Sequence, residues 1–186
     1  MFEKLALIGI GLIGSSIARA TRLKGLAKTI AISTRRQETL DEARALGLGD
    51  IYTMDPVEAV RHADLVILCI PVQSYGAVME KIGPYLEPGT ILSDVGSVKE
   101  YVTKAMAPHI PKGVHLIPGH PIAGTEHSGP AAGFPELFIN RWCVLTPRGD
   151  VDPGAVSKLS AFWSALGSNV ELMEPAHHDM VLAITS

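Results

Sequence analysis

Near its start the chain carries an apolar run that three glycines interrupt, Leu5-Ala6-Leu7-Ile8-Gly9-Ile10-Gly11-Leu12-Ile13-Gly14-Ser15. Residues 5–8 have the composition of a buried strand, and residues 15–24 carry a helical pattern that stops at Gly25. The glycines therefore occupy the turn between a strand and a helix. In that setting Gly9-x-Gly11-x-x-Gly14 reads as a dinucleotide-binding fingerprint. Gly9 permits the tight turn, Gly11 lets the backbone approach a pyrophosphate with no Cβ in the way, and Gly14 lets helix and strand pack closely. The N–H groups of the first helical turn, at Leu12 and Ile13, then hold the diphosphate with the helix dipole behind them.

Two other fates of an apolar N-terminus fail on charge and length. Ala18-Arg19-Ala20 resembles a small-residue cleavage site, but Glu3 cancels Lys4 where a secretory leader needs net positive charge. The run is also too short and too glycine-broken to span a bilayer. A cytoplasmic protein is the expectation.

The alternation continues along the chain. A strand at 29–32 precedes a helix at 37–46 that Gly47 closes, and residues 64–70 form a continuous apolar run ended by Pro71. Such a run is what a parallel strand covered on both faces requires. Helix, strand, helix and strand follow at 75–82, 90–93, 98–107 and 114–117, then a strand at 143–146, a helix at 154–166 and a strand at 169–173. This order predicts an α/β, Rossmann-type, mostly parallel sheet with helices on both faces. Pro175 suits the first turn of a new helix, so 1–174 are expected to form an NAD(P)-binding domain and 175–186 the truncated start of an α-helical domain. The 186 residues are 47% hydrophobic and 19% charged, a balance that supports a packed core. The formal charge of −3 provides no broad basic field, which argues against nucleic acid or an anionic membrane as partner.

The second strand ends in Ser33-Thr34-Arg35-Arg36, at the position where a carboxylate normally accepts the ribose hydroxyls of NAD. No acid appears before Glu38. Two guanidiniums and two hydroxyls suit a 2′-phosphate through charge-assisted hydrogen bonds, so the stretch favours NADP over NAD. The alternative is that these arginines are simply a solvated loop. Ile70 and Pro71, at the end of the next strand, fall on the same edge of the sheet. Cys69 and Cys143 sit in apolar segments and read as small buried hydrophobes. The seven histidines show no metal spacing, and adjacent His177 and His178 must point in different directions on a helix, so no metal is expected.

Two further stretches lie where strands end: "SDVGSVKE" (93–100) and "IPGHPIAGTEHSG" (117–129). The second reads as a glycine-rich loop that is expensive to order unless it shapes a pocket. Together with "LIGIGLIGSSIARA", "DLVILCIPV" and the tail "EPAHHDMVLAITS", these stretches resemble the prephenate and arogenate dehydrogenases of tyrosine biosynthesis across essentially the whole chain.

The resemblance implies that His120 accepts the proton of a substrate ring hydroxyl, that Ser97 stands near that hydroxyl and the nicotinamide, and that Thr125 and Glu126 line the substrate pocket. It also implies an oxidoreductase that decarboxylates arogenate, prephenate or both as hydride passes to the cofactor. A homodimer is expected through a helical domain beyond this chain, which in the family supplies a second histidine and an arginine to the substrate; the fragment alone is then expected to turn over poorly. The competing expectations are an NADP-binding regulatory module without chemistry and a related hydroxy-acid dehydrogenase, which leaves "GHPIAGTE" unexplained.

Overall fold

The structure, a computed structural model, describes residues 1–185. The strand before the glycine turn is β1 (Phe2–Ile8), whose side chains alternate between two faces. Leu5 and Leu7 enter one apolar cluster, and Ala6 and Ile8 enter the other. The chain continues through α1 (Leu12–Lys24), β2 (Ala27–Ser33), α2 (Gln37–Ala45), β3 (Ile51–Thr53), α3 (Pro56–Val60), β4 (Leu65–Leu68), α4 (Tyr75–Ile82), β5 (Ile91–Asp94), α5 (Lys99–Met106) and β6 (His115–Leu116). α1 stops where the sequence predicts, with Gly25 left-handed (φ 62°) and the Leu26 N–H closing back on the Thr21 carbonyl at 3.0 Å.

The six strands form one parallel sheet in the order β3-β2-β1-β4-β5-β6. The order reverses between β1 and β4, so the loops leaving those two strands diverge and open a crevice at the carboxyl edge of the sheet. The register places Ile8 beside Leu68 and Leu68 beside Asp94. With strands ~4.8 Å apart, the glycine turn after β1 and the end of β5 lie on the order of 10 Å from each other. Helices cover both faces. α1, α2 and α6 (Pro153–Ala165) pack on one side through Ile17, Leu40, Phe162 and Trp163. α3, α4 and α5 pack on the other through Val60, Met79, Ile82, Val102 and Met106.

The second half departs from the sequence reading. β7 (Gly119–Pro121), β8 (Trp142–Leu145) and β9 (Asn169–Leu172) make a separate three-stranded sheet, with β7 antiparallel and β9 parallel to β8. β7 falls inside the stretch read as a loop, because three residues that include a glycine and a proline carry no alternation to detect. β3 and α3 escape detection for the same reason, being three and five residues long. α7 (Pro175–Thr185) begins at the expected proline and packs against α5; the last residue of the expected helix, Ser186, lies outside the described residues. Among the described residues no helix is long and apolar enough to cross a membrane.

Candidate active site

The glycine turn is dictated by sterics at two positions. Gly9 has φ +98° and donates its N–H to the Ser33 carbonyl at 2.8 Å, and a Cβ there would strike the Cys69 carbonyl. A Cβ on Gly14 would lie 2.5 Å from the Gly9 oxygen. Gly11 differs, since a Cβ there would meet nothing within 4 Å. It faces open space, as a backbone approached by a ligand must. No side chain caps the start of α1, which leaves the N–H groups of Leu12 and Ile13 available to an anion.

Beside the turn is a cleft of about 520 Å³ that brings together Gly9, Ser33, Thr34, Arg35, Arg36, Ile70 and Pro71. The sequence reading did not single out Met54, Pro56 and Val78, which form apolar wall, or Lys81, a third cation from the last turn of α4. Among the described residues no Asp or Glu lines the cleft. Arg35 and Arg36 are exposed, and Arg36 makes a 3.7 Å ion pair with Glu38, itself exposed and therefore worth little. An apolar cleft that carries three cations and lies beside the glycine turn fits a dinucleotide.

His120 belongs to a second group of residues. Its strand, β7, is clamped to the end of β5 by a buried ion pair. Lys99 donates to Asp94 Oδ2 at 2.6 Å, to Oδ1 at 2.8 Å and to the Gly119 carbonyl at 2.6 Å, which uses all three of its protons. Asp94 also accepts from the N–H groups of Gly96 (2.7 Å) and Gly119 (3.0 Å) and from the Tyr75 hydroxyl (3.1 Å). Lys99 and Asp94 are completely buried. Burial drives the Lys99 pKa down and Asp94 opposes that fall, while burial and then Asp94 raise the Tyr75 pKa. The only sequence sign of this clamp is an acid and a lysine five residues apart around the glycine of "DVGSVK".

The His120 ring completes the group. Its Nδ1 lies 2.9 Å from Nε2 of His178, with the two rings edge to face, and His178 Nδ1 lies 2.7 Å from Asp179 Oδ1. His178 is buried and His177 exposed, the divergence that helix geometry requires of neighbours. The side-chain hydrogen bond that His120 makes among the described residues runs through Nδ1 and leaves Nε2 unpartnered. Burial, then the charges of Lys99 and His178, lower the His120 pKa to about 4 against the pull of Asp179, so the ring is neutral at neutral pH. The sequence does not single out Asp94, Lys99, His178 and Asp179: "SDVGSVKE" and "EPAHHDMVLAITS" carry the resemblance as stretches, and nothing in them marks these side chains as neighbours of His120.

Ser97 is exposed in the turn between Asp94 and Lys99. Thr125 and Glu126 are exposed just beyond β7, where Thr125 Oγ1 accepts the His127 N–H at 3.2 Å and Glu126 stands 3.4 Å from the His127 ring. None of Ser97, His120, Thr125 and Glu126 lines the arginine cleft. The chain after β7 joins the two regions. The Phe134 N–H donates to Ser16 Oγ at 3.1 Å, and a Cβ on Gly133 would collide with Ser15, so this segment lies directly on the start of α1.

Residues 17–172 match the family described as "Prephenate dehydrogenase, nucleotide-binding domain", a segment that includes Ser97, His120, Thr125 and Glu126 and begins after the glycine turn. The chain is 43% identical over its whole length to a cyclohexadienyl dehydrogenase of Zymomonas mobilis subsp. mobilis, of which it spans 63%. Among solved structures it is similar to a prephenate dehydrogenase from A. aeolicus in complex with hydroxyphenyl propionate and NAD+ (TM-score 0.89, 28% identity, 98% of this chain, 63% of that one). It is also similar to a Synechocystis arogenate dehydrogenase (TM-score 0.87, 33% identity, 98% and 64%). The chain thus spans less than two thirds of the length of these relatives. With a parallel sheet in the dinucleotide-binding strand order and this extended match, the chain belongs to the prephenate dehydrogenase family.

Proposed function

We propose that the full-length protein catalyses NADP-dependent oxidative decarboxylation of arogenate, prephenate or both, giving tyrosine or 4-hydroxyphenylpyruvate. In this reading residues 1–174 bind the cofactor, the helix from 175 opens a helical dimerisation domain, and the protein works as a cytoplasmic homodimer. One observation carries it: a neutral imidazole with an unpartnered Nε2 is fixed at the carboxyl edge of the sheet, on the strand whose continuation covers the dinucleotide turn. A bound nicotinamide supplies the acceptor for the hydride leaving the ring carbon that bears the hydroxyl. His120 Nε2 takes the hydroxyl proton as that C–O bond becomes a carbonyl. The bond to the ring carboxylate then breaks, carbon dioxide leaves, and the electron pair aromatises the ring. Because aromatisation drives the reaction, the protein's task is orientation and a base.

Ser97, beside the Asp94–Lys99 clamp, orients the hydroxyl, and Thr125 and Glu126 border the substrate. Gly9, Gly11, Leu12, Ile13 and Gly14 hold the diphosphate. Ser33, Thr34, Arg35 and Arg36 take the 2′-phosphate, with Ile70 and Pro71 against the dinucleotide. The absence of any carboxylate from the cleft lining supports NADP over NAD. The test is the appearance of reduced nicotinamide when the full-length protein meets each substrate with each cofactor. Turnover that His120→Asn abolishes, with NADP binding intact, supports the reading. Tight NADP binding with no turnover of either substrate would leave a nucleotide-binding module instead.

A further inference from the structure

The first turn of α5 has no cap of its own. Val98 precedes it in an extended conformation and offers no side-chain acceptor. The N–H groups that the helix leaves unpaired are satisfied from far along the chain, since Lys99 N–H donates to Asp179 Oδ1 at 2.7 Å and Glu100 N–H to Asp179 Oδ2 at 3.0 Å. A carboxylate is favoured there by the dipole as well as by the two hydrogen bonds. Burial works against the charge on Asp179, but these N–H groups and the His178 ring outweigh it and hold its carboxyl below the usual range.

An ionised carboxylate only accepts hydrogen bonds. The nitrogen that faces it, His178 Nδ1 at 2.7 Å, must therefore carry a proton. When that is the ring's only proton, His178 Nε2 is an acceptor, and the nitrogen 2.9 Å away, His120 Nδ1, is then the donor. A neutral His120 then keeps its lone pair on Nε2. We infer that Asp179 sets the tautomer of His120 through His178, an Asp179–His178–His120 relay that makes His120 Nε2 the proton acceptor and steadies the charge that arrives there. The tautomer follows from these two contacts with Asp179 ionised and His178 neutral; its catalytic use rests on the function proposed above.

The relay also answers a problem created by the clamp. Lys99, with its charge behind β7, opposes a cation on His120, whereas Asp179 favours one. When Nε2 takes the substrate proton, His120 becomes an imidazolium whose Nδ1–H bond to His178 is charge-assisted. That proton can shift to His178 Nε2, whose own Nδ1–H already points at Asp179, so the positive charge moves toward the carboxylate and no atom is gained or lost. A cap for α5 alone would need neither imidazole. Asp179 and His178 are thus positioning residues, and His120 is the group that meets substrate.

The decisive measurement is the ¹⁵N spectrum of the imidazoles in the full-length protein at neutral pH. The expected result is a proton on Nδ1 of both His120 and His178. In Asp179→Asn the side-chain amide can keep one backbone hydrogen bond while its NH₂ donates to His178 Nδ1. Both tautomers then reverse, the His120 proton moves to Nε2, and kcat falls about 100-fold or more with KM for cofactor nearly unchanged, as other wrong-tautomer variants show. A parent spectrum with His120 protonated on Nε2 overturns the relay, even if the enzyme is active and His120→Asn kills it. An Asp179→Asn protein with parental tautomers and parental kcat overturns it too. If that variant does not fold, the parent spectrum decides alone. The expected tautomers in a protein that turns over neither substrate would sustain the relay and sink the proposed activity.

Discussion

The two halves of the site are built in opposite ways. The cleft at Arg35 and Arg36 is open, its cations are exposed, and Arg36 is engaged by no more than a weak surface pair. Behind His120 the Asp94–Lys99 pair is fully buried, and every polar atom of the two side chains has a partner inside the protein. The first arrangement suits a ligand that arrives and leaves, because solvated side chains keep their conformational freedom until the ligand orders them. The second suits chemistry, which needs a base held in one orientation. Charge is spent on binding in one place and on rigidity in the other.

The contrast can be broken most forcefully at Lys99. Lys99→Met leaves the Asp94 carboxylate buried without its counter-ion and should cost about 3–5 kcal/mol of stability by urea unfolding, whereas Asp94→Leu with Lys99→Met should recover part of that loss. A cost below about 1 kcal/mol would mean that the clamp does not hold β7. Next comes His120→Asn, which should lower kcat about 10²–10⁴-fold while leaving the Kd for NADP unchanged.

On the open side, Arg35→Ala with Arg36→Ala should raise the Kd for NADP about 10–100-fold, by calorimetric titration, and that for NAD hardly at all. Equal losses for both cofactors would show that the pair does not read the 2′-phosphate.

The effect of pH is smaller. The folded protein depresses the His120 pKa from 6.5 to about 4, so the neutral ring contributes stability that is complete above the unfolded value and lost as pH falls toward the folded one. Asp179, also depressed, acts in the same direction at lower pH. Melting temperature should therefore drop between about pH 6.5 and 4, by the equivalent of about 1 kcal/mol once the solvent-facing part of the ring is allowed for, and His120→Asn should flatten that drop. The smallest change is Lys81→Ala, expected to weaken NADP only a few-fold, because a flexible ammonium at the rim adds a screened point charge.

How far the sequence could be read follows from how local each feature is. Gly9, Gly11 and Gly14 announce their turn because their spacing, the positive φ at Gly9 and the approach of Gly14 to Gly9 fall within six residues, although the carbonyl that bars a Cβ at Gly9 comes from Cys69; Ser33 to Arg36 follow directly from the end of the next strand. Lys81 lies across the same cleft but looks like any lysine in the last turn of a helix. His120 was visible only through the resemblance carried by its neighbours, and nothing in "HHD" distinguishes the histidine that turns inward from the one that does not. The separate sheet of β7, β8 and β9 was missed because its first strand is three residues long.

The sequence by itself determined the parallel sheet, the glycine turn and the cation-rich strand end, since strand and helix periods and the backbone conformation that a glycine permits operate between near neighbours in the chain. Only the tertiary structure decided what surrounds the base. Lys99 meets Gly119 across 20 residues and Asp179 meets Lys99 across 80, and such partners are chosen by burial. A charge or an imidazole removed from water must find its hydrogen bonds wherever the packed chain brings them.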